Sequence, residues 1–262
     1  MQTQAVLDLV QEVSAAVVEP RFRALEHGEV MEKNPGDLVT VADHEAEELL
    51  TRALTAAYPD ALVLGEEAQA VDPGLLDRYA AADHAFTVDP VDGTKNFVNG
   101  SPDHAVMVGE TRGGVAVRGW IWQPQHQKAY VAERGSGAWL NGRRMEAPRR
   151  PSEPAQWRGV TSRRRWLGRA LPGLGPLELT WVCCGVDYPH LAEGAADYVL
   201  YGRAKPWDHV PGSLLLQETG AHVGTLTGEP YDPRDVPREG LVAAGDRATY
   251  DAVVAALARD RG

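Results

Sequence analysis

Four acidic positions could carry chemistry in this sequence. Glu66 follows the apolar run ALVLG, Asp89 and Asp92 lie three residues apart in VDPVDGTKNFVNG, and Asp208 stands in KPWDHVPGSLLLQETG. Each has an ordinary structural explanation. Glu66 and Glu67 could form a solvated loop, Asp92 could N-cap a turn beginning at Gly93, and Asp208 could N-cap a helix in which Pro211 takes an early position. Taken together they ask for more, because no packing argument requires three segments to place acid where a strand stops or a helix starts. A hard divalent cation does require it. Magnesium takes carboxylate and carbonyl oxygens, keeps several waters and is shared with substrate phosphate.

The turn Asp89-Pro90-Val91-Asp92 suits that task. Proline fixes one φ and orients the following carbonyl, so the Val91 carbonyl and both aspartates can face one point. Gly93 lets a phosphate approach the backbone closely. With Thr94 it opens a helical turn whose free N–H groups form an anion site. Cation ligands on one side and N–H donors on the other make a phosphate cradle that needs no histidine.

The elements that must position these residues follow from periodicity and turn residues. The first ~27 residues have apolar positions at helical spacing and break at HGEV. KNPGDLVT is a turn with a short apolar piece, and Asp43 looks like the N-cap of the helix HEAEELLTRALTAAY, stopped by Pro59. ALVLG and AFTV read as short buried strands delivering Glu66, Glu67 and Asp89. Three apolar runs from Ala105 to Val131, parted by TRGG and QPQHQ, predict an antiparallel meander, and GSGAWLNGRR adds an Asn-Gly turn. The Pro- and Arg-rich stretch RRMEAPRRPSEPAQ marks a seam between two lobes, residues 1–145 and 146–262. Beyond it, the strands WRGVTS, LELTWVCC, DYVLY and GLVAAG alternate with the helices GVDYPHLAEGA, PGSLLLQETG and RATYDAVVAALARD. The first lobe is therefore read as helices on a largely antiparallel sheet, the second as an α/β sandwich.

Bulk properties narrow the function class. A chain of 262 residues can bury a sizeable core. Its formal net charge of −11 argues against general nucleic-acid binding but not against a phosphorylated substrate, since a bound cation inverts the local field. The sequence shows no internal repeat, no bilayer-spanning apolar run and no basic leader, so a cytoplasmic protein without a membrane partner is expected. Cys183 and Cys184 are adjacent, with Cα atoms ~3.8 Å apart, too close for an ordinary disulfide. Without further Cys or His at set spacing they make no zinc site, and they read as small core residues of an apolar strand.

GEE, DPVDGTKNF and WDHVPGSLLLQETG, in that order, together with DLVTVAD upstream, resemble the blocks of the magnesium-dependent inositol monophosphatase family. The likeness runs from about Lys33 to Gly220 with family-like spacing. It implies a layered αβαβα sandwich of the inositol monophosphatase/fructose-1,6-bisphosphatase type, and a homodimer. It implies that Glu66, Asp89 and the Val91 carbonyl hold one Mg²⁺, and that Asp89, Asp92 and Asp208 hold a second. Glu66 and Thr94 would position and deprotonate the attacking water, while the Gly93 and Thr94 N–H groups hold phosphate. That is a two-metal, in-line hydrolysis without a covalent intermediate. Glu67 would reach metal only through water, and Lys33 falls where the family has a mobile loop near a weaker third ion.

The substrate side departs from the pattern. Where inositol phosphatases place a glutamate on ring hydroxyls, this chain has Tyr201, and a phenol cannot accept two hydroxyl hydrogen bonds as a carboxylate does. The Gly-x-Ala stretch near the ring reads VCCGVDY, which brings in Cys184. KPWD and DGTK also resemble histidinol-phosphate phosphatases and nucleotide-processing relatives. The basic run SRRRWLGRA, with Arg163 to Arg165, is either a solvated face or a rim that attracts an anionic substrate or fixes a second phosphate. Arg203 and Lys205 are better placed for substrate, and His209 competes with water as a general acid. The reading is a Mg²⁺-dependent phosphomonoesterase for a small phosphorylated polyol, inositol monophosphate by default. Histidinol phosphate is the alternative, a nucleotide ranks third, and a non-catalytic binder on the same fold is the rival from another class.

Overall fold

The computed structural model describes residues 1–237 and 239–261. Val6, Leu7, Val10 and Val13 recur at helical spacing, and α1 (Thr3–Val13) buries all four. The helix passes through a π turn (Ser14–Val18) and a 3-10 turn (Glu19–Arg21), so the helical start is shorter and less regular than its apolar pattern. β1 (Val30–Asn34) and β2 (Asp37–Thr40) form a separate antiparallel hairpin. α2 (Val41–Ala57) is capped by Thr40 rather than Asp43. Thr40 accepts the Ala42 N–H, and Asp43, on the first turn, accepts the Thr40 N–H in a capping box. The cap therefore lies three residues before the acid that seemed to provide it.

β3 (Leu62–Gly65) runs directly into α3 (Glu66–Val71), and α4 (Leu75–Ala81) follows. β4 (His84–Asp92) extends past AFTV and carries both aspartates, its pairing irregular between Asp89 and Asp92. After the short α5 (Thr94–Val98) come β5 (Ala105–Arg112), β6 (Val115–Gln123), β7 (Lys128–Glu133), β8 (Gly137–Leu140) and β9 (Arg143–Arg144). These strands form the predicted antiparallel meander, and β3 adds parallel to β4 to complete a seven-stranded sheet in sequence order.

A second, five-stranded sheet has the order β11-β10-β12-β14-β13. It is built from β10 (Gly159–Thr161), β11 (Glu178–Leu179), β12 (Tyr198–Leu200), β13 (His222–Thr225) and β14 (Leu241–Ala244). α6 (Cys184–Ala192) and α7 (Pro206–Glu218) intervene, and α8 (Arg247–Arg261) ends the described chain. The strand expected at LELTWVCC shrinks to two residues. Cys183 is instead the N-cap of α6 and Cys184 its first residue. β13 escaped the pattern because four residues give too little periodicity to read.

The layers follow from which faces are apolar. α1 and α2 cover one face of the seven-stranded sheet, packing on Phe86, Val88, Val106 and Trp120. α6 and α7 fill the space between the sheets, where Leu214 and Leu215 join Met107 and Ile121 of one sheet and Val199 and Leu241 of the other. α8 closes the far side, with Tyr250, Val253 and Leu257 against Leu200 and Val242. This is the αβαβα sandwich. α7 sits so close to β6 that a Cβ at Gly119 would come 2.9 Å from Pro211 Cα, which fixes Asp208 against the ends of β4 and β5. No helix among the described residues is long and apolar enough to cross a membrane.

Candidate active site

Separate elements deliver carboxylates to one region. Asp89 and Asp92 come from the end of β4 and Asp208 from the first turn of α7, and their oxygens lie within 4.8 Å of one another. Glu66, at the start of α3, lines the same cleft as Asp92 and Asp208, a space of 730 Å³. Asp89 and Val91 are buried beneath it. Burial pushes Asp89 well above the ordinary carboxylate range, and repulsion from Glu66, Asp92 and Asp208 adds to it. Asp208 is raised likewise by burial, then by Asp92 and Glu66. Asp89 Oδ1 is buried without a hydrogen-bond partner among the described residues. A buried, unpaired carboxylate oxygen is costly. Crowded oxygen donors with an orphaned oxygen among them fit a hard divalent cation, and the residues present can hold one.

The loop after Asp92 is fastened on both sides. Asp92 Oδ2 accepts from Cys183 Sγ at 2.8 Å and from the Gly185 N–H at 2.5 Å. Gly93 has φ +80°, and a Cβ there would sit 3.0 Å from both the Asp103 carbonyl and Cys183 Cβ, so the turn demands glycine. Asn96 Nδ2 donates to the carbonyls of Asp103 and Trp181, both at 2.8 Å. The adjoining Val182 has φ +60°, a strained conformation for a β-branched residue, on the wall of the cleft.

Two further acids complete the site, and the sequence reading had missed both roles. The Thr94 hydroxyl lies 3.1 Å from Asp43 Oδ1 and 2.9 Å from the Val91 carbonyl. Glu47 accepts the N–H groups of Glu67 and Ala68 at 2.7 and 2.8 Å, so it caps α3 from one helix away. A Cβ at Gly65 would fall on that carboxylate. Burial raises Asp43 to about 6 and Glu47 to about 7. Glu66 rises to about 7 by burial, against the pull of Lys33. The available signal was the i,i+4 spacing of Asp43 and Glu47, which puts both on one face of α2.

Lys33 reaches in from β1 and bridges Glu66 Oε1 and Glu67 Oε1, each at 2.8 Å. Burial works against its charge, and the two carboxylates overcome that and raise its pKa. Glu67 is itself buried, and its Oε2 has no partner among the described residues.

On the opposite wall Tyr201 is buried and stacks on Tyr188 with ring centroids 5.2 Å apart. His209 Nδ1 lies 2.8 Å from Tyr188 Oη and Nε2 lies 2.9 Å from the Arg203 carbonyl. A carbonyl only accepts, so Nε2 carries the proton and Nδ1 accepts from tyrosine. Burial lowers His209 to about 4, which leaves it neutral near pH 7. Its proton is committed to the backbone, so His209 holds the Arg203 loop and is not placed to act as a general acid. Cys184 Sγ lies near Asp208 and His209, and burial, then the charge of Asp208, pushes its thiol well up. Lys205 packs over Trp207 at 5.4 Å, and its charge favours ionised Asp208. Arg203 and the Arg163–Arg165 run line the cleft.

The family model described as "Inositol monophosphatase family" matches residues 2–261. A protein of Mesorhizobium japonicum named inositol-1-monophosphatase is 31% identical over 273 residues, covering 98% of this chain and 97% of that one. A protein of Aquifex aeolicus named fructose-1,6-bisphosphatase/inositol-1-monophosphatase is 30% identical over 250 residues, covering 91% of this chain and 88% of its own. Among solved structures, an IMPase of Thermotoga maritima superposes with a TM-score of 0.80 at 20% identity, covering 98% and 96% of the two chains.

Proposed function

The chain belongs to the inositol monophosphatase family, and from that premise we propose that it is a Mg²⁺-dependent phosphomonoesterase acting on a small phosphorylated polyol. That it is a phosphatase follows from the family; the ion, the residue roles and the substrate are our reading. The observation that carries it is the orphaned Asp89 oxygen among crowded carboxylates at the end of β4.

In this reading Glu66, Asp89 and the Val91 carbonyl hold one ion, and Asp89, Asp92 and Asp208 hold another. Bound divalent cations supply positive charge to the transferring phosphoryl group and lower the pKa of water. The chain's own residues do the rest. Glu66 and Thr94 orient the attacking water; its proton goes to the Glu66 carboxylate, or to the Thr94 oxygen as the Thr94 hydroxyl proton passes to Asp43. The Gly93 and Thr94 N–H groups face the phosphate. Lys33 offsets one of the two negative charges of Glu66 and Glu67. Inositol monophosphate is the default substrate, and histidinol phosphate is the alternative because Tyr201 offers no paired acceptor for ring hydroxyls. We further place the lobe boundary near residue 145 and expect a cytoplasmic homodimer.

The test is Mg²⁺-dependent phosphate release from inositol 1-phosphate and histidinol phosphate by the wild-type chain and by Asp92→Asn. Release that needs Mg²⁺ and falls at least about 100-fold in the variant supports the reading. Release indifferent to Mg²⁺ or to Asp92 overturns it.

A further inference from the structure

Asp208 belongs to two groups of ligating atoms. With Asp89 and Asp92 it forms the all-oxygen cluster at the end of β4. With Cys184 and His209 it forms another, in which the thiol sulfur, a carboxylate oxygen and a ring nitrogen lie within 4.8 Å of one another. Magnesium takes oxygen ligands and has no use for a thiolate. A set of sulfur, nitrogen and oxygen is the chemistry of zinc.

The sequence hides this set, because the Cys-Cys pair stands at no zinc spacing and its partners lie on the next helix. Cys184 opens α6, and Asp208 and His209 lie in the first turn of α7. The two helices are pressed together: a Cβ at Gly212 of α7 would fall 2.2 Å from Tyr188 Cδ2 of α6. All three residues line the 730 Å³ cleft, so an ion reaches them from solvent.

The state of each ligand fits the ion. Cys183 is engaged, its Sγ donating to Asp92 Oδ2 at 2.8 Å, whereas Cys184 Sγ makes no hydrogen bond among the described residues. His209 keeps its proton on Nε2, which donates to the Arg203 carbonyl at 2.9 Å. Ligating histidines are oriented in this way, one ring nitrogen donating to a backbone carbonyl and the other left with its lone pair for the metal. Here the lone pair is on Nδ1, where Tyr188 Oη is the donor at 2.8 Å. Zinc bonds of about 2.0–2.3 Å set tetrahedral donors about 3.3–3.8 Å apart. The set therefore has to close by no more than about 1.5 Å, and Tyr188 has to release Nδ1.

We propose that Cys184, Asp208 and His209 form a Zn²⁺ site that competes with the all-oxygen cluster for Asp208, so that zinc turns the hydrolysis off. Zn²⁺ takes the sulfur, one Asp208 oxygen and Nδ1, with water in the fourth position, and the thiol proton leaves to solvent. The site stands on its own ligands, and only the inhibition rests on the phosphatase reading.

Co²⁺ accepts the same ligands, and a thiolate bound to it gives a near-ultraviolet charge-transfer band. The whole chain with its thiols reduced should develop that band on titration with Co²⁺, and Zn²⁺ should abolish it. Cys184→Ala and Cys184→Ser should both lack the band and bind Zn²⁺ about tenfold or more weakly in competition with a chromophoric chelator. Tyr188→Phe should bind Zn²⁺ about threefold or more tightly, because Nδ1 no longer has a donor to surrender. With Mg²⁺ and inositol 1-phosphate or histidinol phosphate, the Zn²⁺ concentration that halves each protein's own rate should rise about tenfold or more in Cys184→Ala. An ion held by the carboxylates alone gives no band and is indifferent to residue 184. A wild-type spectrum without the band, or a Zn²⁺ affinity that neither Cys184 substitution moves, therefore overturns the site. Zn²⁺ affinity unchanged or weakened in Tyr188→Phe removes His209 from the set and overturns it too. Zinc that binds and leaves hydrolysis untouched overturns the competition for Asp208. If the spectra and affinities behave as stated but neither ester releases phosphate, the site stands and the phosphatase reading fails instead.

Discussion

The Thr94 hydroxyl sits 3.1 Å from Asp43 Oδ1, joining the loop after β4 to the first turn of α2 across 51 residues of sequence. Asp43 also accepts the Thr40 N–H at 2.9 Å, so one carboxylate completes the capping box of α2 and aims a hydroxyl. Thr94→Val removes the hydroxyl and keeps the shape. Misplacing a positioned group costs about 100-fold in rate. We therefore expect kcat for phosphate release to fall by about that factor with KM nearly unchanged. A variant with wild-type kcat would show that the pair serves only structure.

Gly65 makes a second, sharper prediction. Any side chain there displaces the Glu47 carboxylate that caps α3 and so moves Glu66 and Glu67. Gly65→Ala should destabilise the protein by about 1–3 kcal/mol, the usual cost of overpacking, and weaken Mg²⁺ binding with it. Gly175, where a Cβ would find its nearest neighbour at 3.6 Å, is the control: alanine there should leave the denaturation midpoint unchanged. Equal effects from the two substitutions would refute the role given to Glu47.

These two residues also show where the sequence was readable. Asp89, Asp92 and Asp208 stood out because each interrupts an apolar run or sits beside proline and tryptophan, where acid has no packing purpose. The meander was legible from its turns, because each strand pairs with its sequence neighbour. Asp43 and Glu47 were hidden in DHEAEELL, where Asp43 reads as a helix cap and Glu47 as part of the solvated face of an amphipathic helix. Only the packing of α2 across the ends of β3 and β4 turns that face inward. Cys183 and Cys184 failed for a related reason: an apolar run of eight residues fits a strand or a helix start equally well, and the chain used it as an approach to α6, with Cys183 turned onto Asp92.

Lys33 now competes with any cation for Glu66. Its Nζ is 2.8 Å from Glu66 Oε1, and the side chain is only 15% exposed, so solvent screens the contact weakly. Lys33→Gln removes a positive charge from beside the acid cluster and frees both glutamates. Apparent Mg²⁺ affinity, read by calorimetry, should rise by about threefold to tenfold. Weaker binding would mean that Lys33 holds Glu66 in its ligating position and does not oppose the ion.

Stability against pH gives the last test. Burial raises Glu47 and Glu66 from 4.5 to about 7, and Asp89 and Asp208 rise well above 3.8. A carboxylate whose folded pKa is raised binds more protons folded than unfolded, so its contribution is present at low pH and lost as pH climbs through the folded value. His104 and His209 act the other way, because burial lowers both to about 4, but that effect is spent once pH exceeds 6.5, their ordinary value. Above pH 6.5 the carboxylates decide the sign. In chelator, Tm should fall as pH rises from about 6.5 to about 8.5, by on the order of 3 °C for a chain of this size. Mg²⁺ should raise Tm at every pH, and by more at the alkaline end, where deprotonated carboxylates bind it best. A flat or rising Tm in chelator, or a Mg²⁺ increment that shrinks with pH, would contradict a cluster of proton-loaded acids awaiting a cation.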